Sequence, residues 1–205
     1  GKIRNKSRVI LDYAHTPDAL RICLSNLKEQ FPNKKIILLF GCGGNRDKNK
    51  RFKMGKIASN YSNKIYLTDD NPRFEDPRKI RDDIKKGIQN TLIKEIPDRK
   101  QAISEAIKNL NTGDILLVAG KGHEKTQDFG KKKIFFSDKK IILDCIKLKN
   151  INLSKNLKIN IIKEVSKIKN KIPLIKVDKA RINSKEVNKN DIFFAIKGKK
   201  NDGNK

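Results

Sequence analysis

The residues best suited to chemistry in this chain fall in four short segments. Asp70-Asn71-Pro72-Arg73 is the most specific of them. Pro72 fixes its own φ and biases Asn71 toward extended backbone, so Arg73 is held out as a planar donor suited to a carboxylate. Arg46, in Gly41-Cys42-Gly43-Gly44-Asn45-Arg46-Asp47, is a second such donor, and Glu124, in Gly120-Lys121-Gly122-His123-Glu124, is an acceptor for an ammonium. Together they suit a ligand that is zwitterionic at both ends, whereas any one of them alone reads as a surface ion pair. The only two histidines, His15 and His123, also fall in these segments, His15 in Asp12-Tyr13-Ala14-His15. A lone histidine is more often a surface or hydrogen-bonded structural residue, and this pair has no metal-ligand spacing.

Two further motifs are incomplete. The glycine-rich segment departs from G-x-G-x-x-G because its last position is Arg46, so a tight turn and a close backbone approach to a ligand are equal readings. Cys42 within it has no base partner implied at this spacing and is discounted as a nucleophile. No G-x-x-x-x-G-K-[ST] phosphate loop occurs; the nearest, Gly198 to Gly203, is followed by Asn204-Lys205.

The elements that must carry these segments alternate short apolar runs with helical periodicity, the pattern of a parallel α/β sheet. Val9–Leu11, Ile36–Phe40, Ile65–Thr68 and Ile115–Ala119 read as strands, with a last one near Ile134–Phe136. Thr16-Pro17 opens a helix whose Leu20, Cys23, Leu24 and Leu27 share one face. Helices follow near 51–60, from Pro77 with Ile80, Ile84 and Ile88 in a stripe, from Asp98 to about Leu110, and from Ser137-Asp138. Four strands end in a polar or glycine-rich loop before a helix. In an open parallel sheet those carboxyl ends share the ligand-binding edge, so Asp12–His15, Gly41–Arg46, Asp70–Arg73 and Gly120–Glu124 are expected to converge.

Composition narrows the class. The chain has 205 residues with Lys+Arg 49 against Asp+Glu 23, a net charge of +26. The hydrophobic fraction of 36% still permits a packed core. No apolar run approaches the ~20 residues of a membrane span, and no secretory leader is evident. Three cysteines without a CxxC pair exclude a disulfide scaffold and fit a reducing cytosol. The charge raises one alternative, a basic nucleic-acid-binding α/β protein, but the lysines are interleaved with acids and no recognition motif accompanies them. Residues 146–173 are rich in Lys, Asn and Ile; from about Leu174 a strand-like pattern returns, and the chain stops soon after Asp202-Gly203 as if cut off.

Taken in order, Asp12-Tyr13-Ala14-His15-Thr16-Pro17-Asp18, Gly41-Cys42-Gly43-Gly44-Asn45-Arg46-Asp47-Lys48, Asp69-Asp70-Asn71-Pro72-Arg73 and Gly120-Lys121-Gly122-His123-Glu124 resemble the C-terminal domain of the Mur ligases. The likeness is strongest to the MurE type, which adds meso-2,6-diaminopimelate to UDP-N-acetylmuramoyl-L-alanyl-D-glutamate. It covers about residues 1–148. In that family Asp-Asn-Pro-Arg is the tetrapeptide associated with diaminopimelate, and lysine-adding relatives differ there. The resemblance implies a Rossmann-like, mostly parallel sheet flanked by helices, with Arg46, Asp70, Asn71, Pro72, Arg73, Gly120 and Glu124 at the diaminopimelate site. It places Asp12, Tyr13 and His15 toward the nucleotide. It also implies an ATP-dependent amide ligation of peptidoglycan synthesis: the D-glutamyl carboxylate is phosphorylated, and the amine attacks the acyl phosphate. The ATP and magnesium sites belong to the family's central domain, so this chain is expected to be inactive alone.

The tail carries a second resemblance. Ile182-Asn183-Ser184-Lys185-Glu186-Val187, Asn190-Asp191-Ile192-Phe193-Phe194-Ala195 and Asp202-Gly203 are similar to the start of another Mur ligase, of the MurF type. Asn183, Lys185 and Asn190 depart from that family's Asp, Arg and Gly. The expected organisation is therefore 1–148 as the amino-acid-binding domain, 149–173 as a linker or the start of the next unit, and 174–205 as a truncated small α/β N-terminal domain. The whole would be a fragment across a MurE–MurF junction.

Overall fold

A computed structural model describes residues 1–166, 180–181 and 192–193, with side chains to Ser154. Two compact units divide between Asn150 and Ile151. The first is built on five parallel strands, β1 (Arg8–Asp12), β2 (Ile36–Phe40), β3 (Lys64–Leu67), β4 (Leu92–Glu95) and β5 (Ile115–Ala119), in the order β1-β5-β2-β3-β4. All five residues of both β2 and β5 are buried. Strands covered on both faces can be continuous apolar runs rather than alternating ones, which is why Ile-Ile-Leu-Leu-Phe and Ile-Leu-Leu-Val-Ala lie at the centre. The register sets Asp12 opposite Ala119 and Phe40 opposite Leu67, so the carboxyl ends of these four strands lie along one edge.

Helices cover both faces. Thr16 caps α1 (Pro17–Gln30) by accepting from the Ala19 N–H at 3.3 Å. Its Leu20, Leu24 and Leu27 are buried and Cys23 is half-buried, as the expected face requires. α2 (Asn49–Tyr61) and α3 (Pro77–Lys85, capped by Asp76) add Met54, Ala58, Ile80 and Ile84 to the same core layer, against Leu38, Phe40, Ile65 and Leu67. α4 (Arg99–Lys108) is capped by Asp98, whose carboxylate accepts from the Gln101 N–H at 2.7 Å. It buries Ala102, Ile103, Ala106 and Ile107 and touches β2, β3 and β5.

Two elements differ from the sequence expectation. β4 was not foreseen; Leu-Ile-Lys-Glu is a mostly exposed edge strand with no apolar run to betray it. The last strand, β7 (Lys133–Phe135), does not join the parallel sheet but pairs antiparallel with a short β6 (Thr126–Asp128). The final helix, α5 (Asp138–Ser166), is continuous across 149–166. That stretch holds neither Pro nor Gly, so nothing in it forces the helix to end. Within the first unit the Lys149 ammonium donates to the carbonyls of Ile107, Lys108 and Leu110 at 2.7–2.9 Å and so satisfies the C-terminal end of α4.

In the tail, where a strand-like pattern was expected from about Leu174, β8 (Ala180–Arg181) pairs in parallel with β9 (Ile192–Phe193). The remaining tail motifs, at 182–191 and 194–203, lie outside the described residues. Among the described residues no helix is long and apolar enough to cross a membrane.

Candidate functional site

The loops after β1, β2, β3 and β5 meet around a cleft of about 330 Å³ at the carboxyl edge of the sheet. Tyr13, His15, Arg46, Asp70, Asn71, Arg73, Gly120 and Glu124 all line it. Thr16, Asp47 and Lys50 line it too, and the sequence reading had not singled them out. Asp12 and Pro72 do not line it and instead shape its walls. The Asp12 carboxylate accepts from the Ala14 N–H at 2.8 Å and sets the turn that carries Tyr13 and His15. The Pro72 carbonyl lies where a Cβ on Gly44 would fall, 1.9 Å away, so only glycine lets these two loops touch there. Gly44 N–H then donates to the Asn71 carbonyl at 2.9 Å.

Arg73 sits in the left-handed region at φ 51°, an uncommon conformation for a branched-free but bulky residue. It is held there by its N–H donating to the Asp128 carbonyl at 3.0 Å and by Nη1 donating to the Gly44 carbonyl at 2.9 Å. The guanidinium is thus half committed to the loop after β2, and Nη2 makes no hydrogen bond among the described residues. Arg46 is exposed and likewise has no hydrogen-bond partner there. Asp70 is only 9% exposed, and its carboxylate accepts no hydrogen bond among the described residues. Gly120, at φ 111°, lies directly against it; a Cβ at that position would stand 2.8 Å from Asp70 Oδ2. Arg46, the free side of Arg73, whose Nε lies 3.9 Å from Asp128 Oδ2, and the Asp70 carboxylate therefore face the cleft.

Glu124 is more constrained than its position in the sequence suggests. Its Oε2 accepts from Asn71 Nδ2 at 3.0 Å and from the ammonium of Lys121 at 2.8 Å. Lys121 is completely buried and also donates to Asn71 Oδ1 at 2.9 Å, which takes a further hydrogen bond from the Asp128 N–H at 3.0 Å. Burial opposes ionisation of Glu124, but the hydrogen bonds from Lys121 and Asn71 outweigh it and hold its carboxyl below the ordinary value. Lys121 stood inside a motif read for its neighbours; its burial depends on tertiary packing that no local spacing announces.

Rings make up the outer wall. Tyr13 packs against His15 with centroids 4.6 Å apart and against His123 at 5.5 Å, so both histidines share one aromatic cluster. Lys50 donates to the His15 carbonyl at 3.0 Å. Cys42 is buried beside Met54, Sγ to Sδ 3.6 Å, and burial pushes its thiol up to about 12, in keeping with its dismissal as a nucleophile. Among the described residues no group of three or more His, Cys, Asp or Glu could hold a metal ion.

Behind the loops lie the ion pairs of two buried arginines. Arg51 binds both oxygens of Glu75 at 2.9 and 3.0 Å and reaches Asp83 at 3.2 Å, while Glu75 accepts from the Asn45 N–H. Arg99 and Asp138, both completely buried, form a two-pronged pair at 2.7 and 2.9 Å. Arg99 also donates to the Ala119 carbonyl at 3.0 Å, at the root of the Gly120–Glu124 loop.

Residues 1–122 match the family described as "Mur ligase, glutamate ligase domain". The chain belongs to the Mur ligase family. Among Mur ligases, the UDP-N-acetylmuramoyl-L-alanyl-D-glutamate–2,6-diaminopimelate ligase of Rickettsia rickettsii is 49% identical over 145 residues, 70% of this chain and 30% of that protein. The ligase of the same name from Wigglesworthia glossinidia brevipalpis is 53% identical over 141 residues, 68% of this chain and 28% of its own length. A solved structure of a ligase so named superposes with a TM-score of 0.66 at 40% identity, covering 70% of this chain and 30% of the other. The chain thus spans less than a third of these relatives.

Proposed function

We propose that this chain is the amino-acid-binding part of a ligase that joins meso-2,6-diaminopimelate to UDP-N-acetylmuramoyl-L-alanyl-D-glutamate in cytoplasmic peptidoglycan synthesis. The observation that carries this reading is the cleft itself: the guanidinium groups of Arg46 and Arg73 line it together with the carboxylates of Asp70 and Glu124. A ligand with a carboxylate and an ammonium at each end complements such a set, and a ligand lacking one carboxylate leaves an arginine unmatched. The names of the similar proteins from Rickettsia and Wigglesworthia support the same amino acid.

In this reading the chain's own residues bind and orient. Arg73, anchored through Nη1, offers its remaining N–H groups to one carboxylate, and Arg46 takes another. Asp70 and Glu124 hold an ammonium, and the tight loop contacts at Gly44 and Gly120 fix the spacing between them. Rate then comes from proximity and orientation of the amine toward its electrophile. The exposed rings of Tyr13 and His15 and the ammonium of Lys50 suit a nucleotide's base and phosphates. ATP, when bound, supplies phosphoryl transfer to the D-glutamyl carboxylate. Its main site, and any magnesium site, belong with parts of the ligase that the relatives have and this chain does not span. The tail at 174–205 is read as the start of a second ligase of the MurF type, on the motifs at 182–203.

The test is a chimaera in which residues 1–148 replace the corresponding part of the Rickettsia rickettsii ligase. Phosphate release should depend on diaminopimelate and the dipeptide nucleotide together, and lysine should not substitute. Equal turnover with lysine would contradict the reading.

A further inference from the structure

Lys121 carries a charge with no evident purpose if Glu124 is simply an ammonium acceptor. A buried cation bonded to that acceptor works against the attraction the acceptor is meant to supply. The side chain is completely buried, so it touches no ligand, and it acts only through its two partners. Asn71 Oδ1 receives both the Lys121 ammonium and the Asp128 N–H, which fixes the amide so that Nδ2 points to Glu124. Glu124 Oε2 is thereby saturated by two donors, and Oε1 alone is left for the cleft.

Resting on the diaminopimelate reading above, we propose that Lys121 is a positioning residue that sets selectivity against ligands ending in a bare ammonium. It offsets the charge of Glu124 and confines that carboxylate to one outward oxygen. A lone ammonium, as on lysine, then finds one oxygen of a partly neutralised carboxylate, with Arg73 nearby as a repelling charge. A terminus that also carries a carboxylate satisfies Arg73 and tolerates the weakened acceptor. Selectivity thus arises as much from the cation placed behind the site as from the groups that face it.

The experiment is calorimetric titration of the full chain and its Lys121→Met, Lys121→Gln and Lys121→Arg variants with meso-diaminopimelate and with lysine. Circular dichroism verifies that each variant is folded. The quantity read is the ratio of the two affinities, which a general loosening of the loop would leave unchanged. Either neutral variant should shift the ratio toward lysine by about tenfold, as expected for removing one like charge from a shielded site. Lys121→Arg keeps the charge and should keep the ratio even if both affinities fall. An unchanged ratio in a folded neutral variant overturns the role of Lys121 while leaving the parent's preference for diaminopimelate intact. A parent chain that binds neither ligand, or both alike, would instead remove the reading on which this one rests.

Discussion

Arg73 makes the clearest case at the scale of single residues. Its Nη1 is spent on the Gly44 carbonyl, so the ligand contact it offers and the loop contact it makes are lost together on truncation. Arg73→Ala should weaken diaminopimelate binding by roughly 10- to 100-fold, the worth of a hydrogen bond to a charged group, as read by titration. Glu124 gives a pH prediction with a definite sign. Its carboxyl is held below the ordinary value of 4.5, so its contribution is complete above that value and fades as pH falls through the lower folded-state value. The stability difference between the parent and Glu124→Gln, followed by thermal unfolding, should be constant from neutral pH down to about 5. It should close only in stronger acid. A difference that closes near neutrality would place the group elsewhere. Most residues facing the cleft were legible because chemistry selects their types; Lys121, Arg51 and Arg99 were not, since a cation's burial is decided by packing that brings together loops distant in sequence.

At the scale of elements, the four loops owe their convergence to strands whose ends are aligned by register, and that much was written in the sequence. β2 and β5 announce themselves as unbroken apolar runs because both faces of the sheet are covered. β4 and the β6–β7 hairpin were silent for the opposite reason: short, mostly exposed strands carry no apolar pattern. The hairpin nevertheless bears on the site, since the Asp128 backbone fixes both Arg73 and Asn71. The Arg99–Asp138 pair joins the N-terminal ends of α4 and α5 beneath the Gly120–Glu124 loop. Arg99→Ala, which leaves Asp138 buried and uncompensated, should cost about 3–5 kcal/mol in urea unfolding. Asp98→Ala, which removes only the cap of α4, should cost about 1 kcal/mol in the same assay.

The whole molecule poses the question of charge. A net +26 spread over loops and helices invites nonspecific attachment to polyanions, and the nucleic-acid alternative found no support among the similar proteins. Salt separates the two behaviours. Attachment to nucleic acid should collapse steeply as salt rises, whereas diaminopimelate binding in the partly buried cleft should change far less. Since the sequence lacks a phosphate-loop motif, the 205-residue chain should release no phosphate from ATP unaided. The measurement that bears most directly on the account is calorimetric titration of the chain with meso-diaminopimelate and, separately, lysine at physiological salt and high ligand concentration. Saturable binding of diaminopimelate, with lysine binding far more weakly, is the predicted result. Equal binding of both, or preference for lysine, would contradict the assignment of Arg46, Asp70, Arg73 and Glu124 to a doubly zwitterionic ligand.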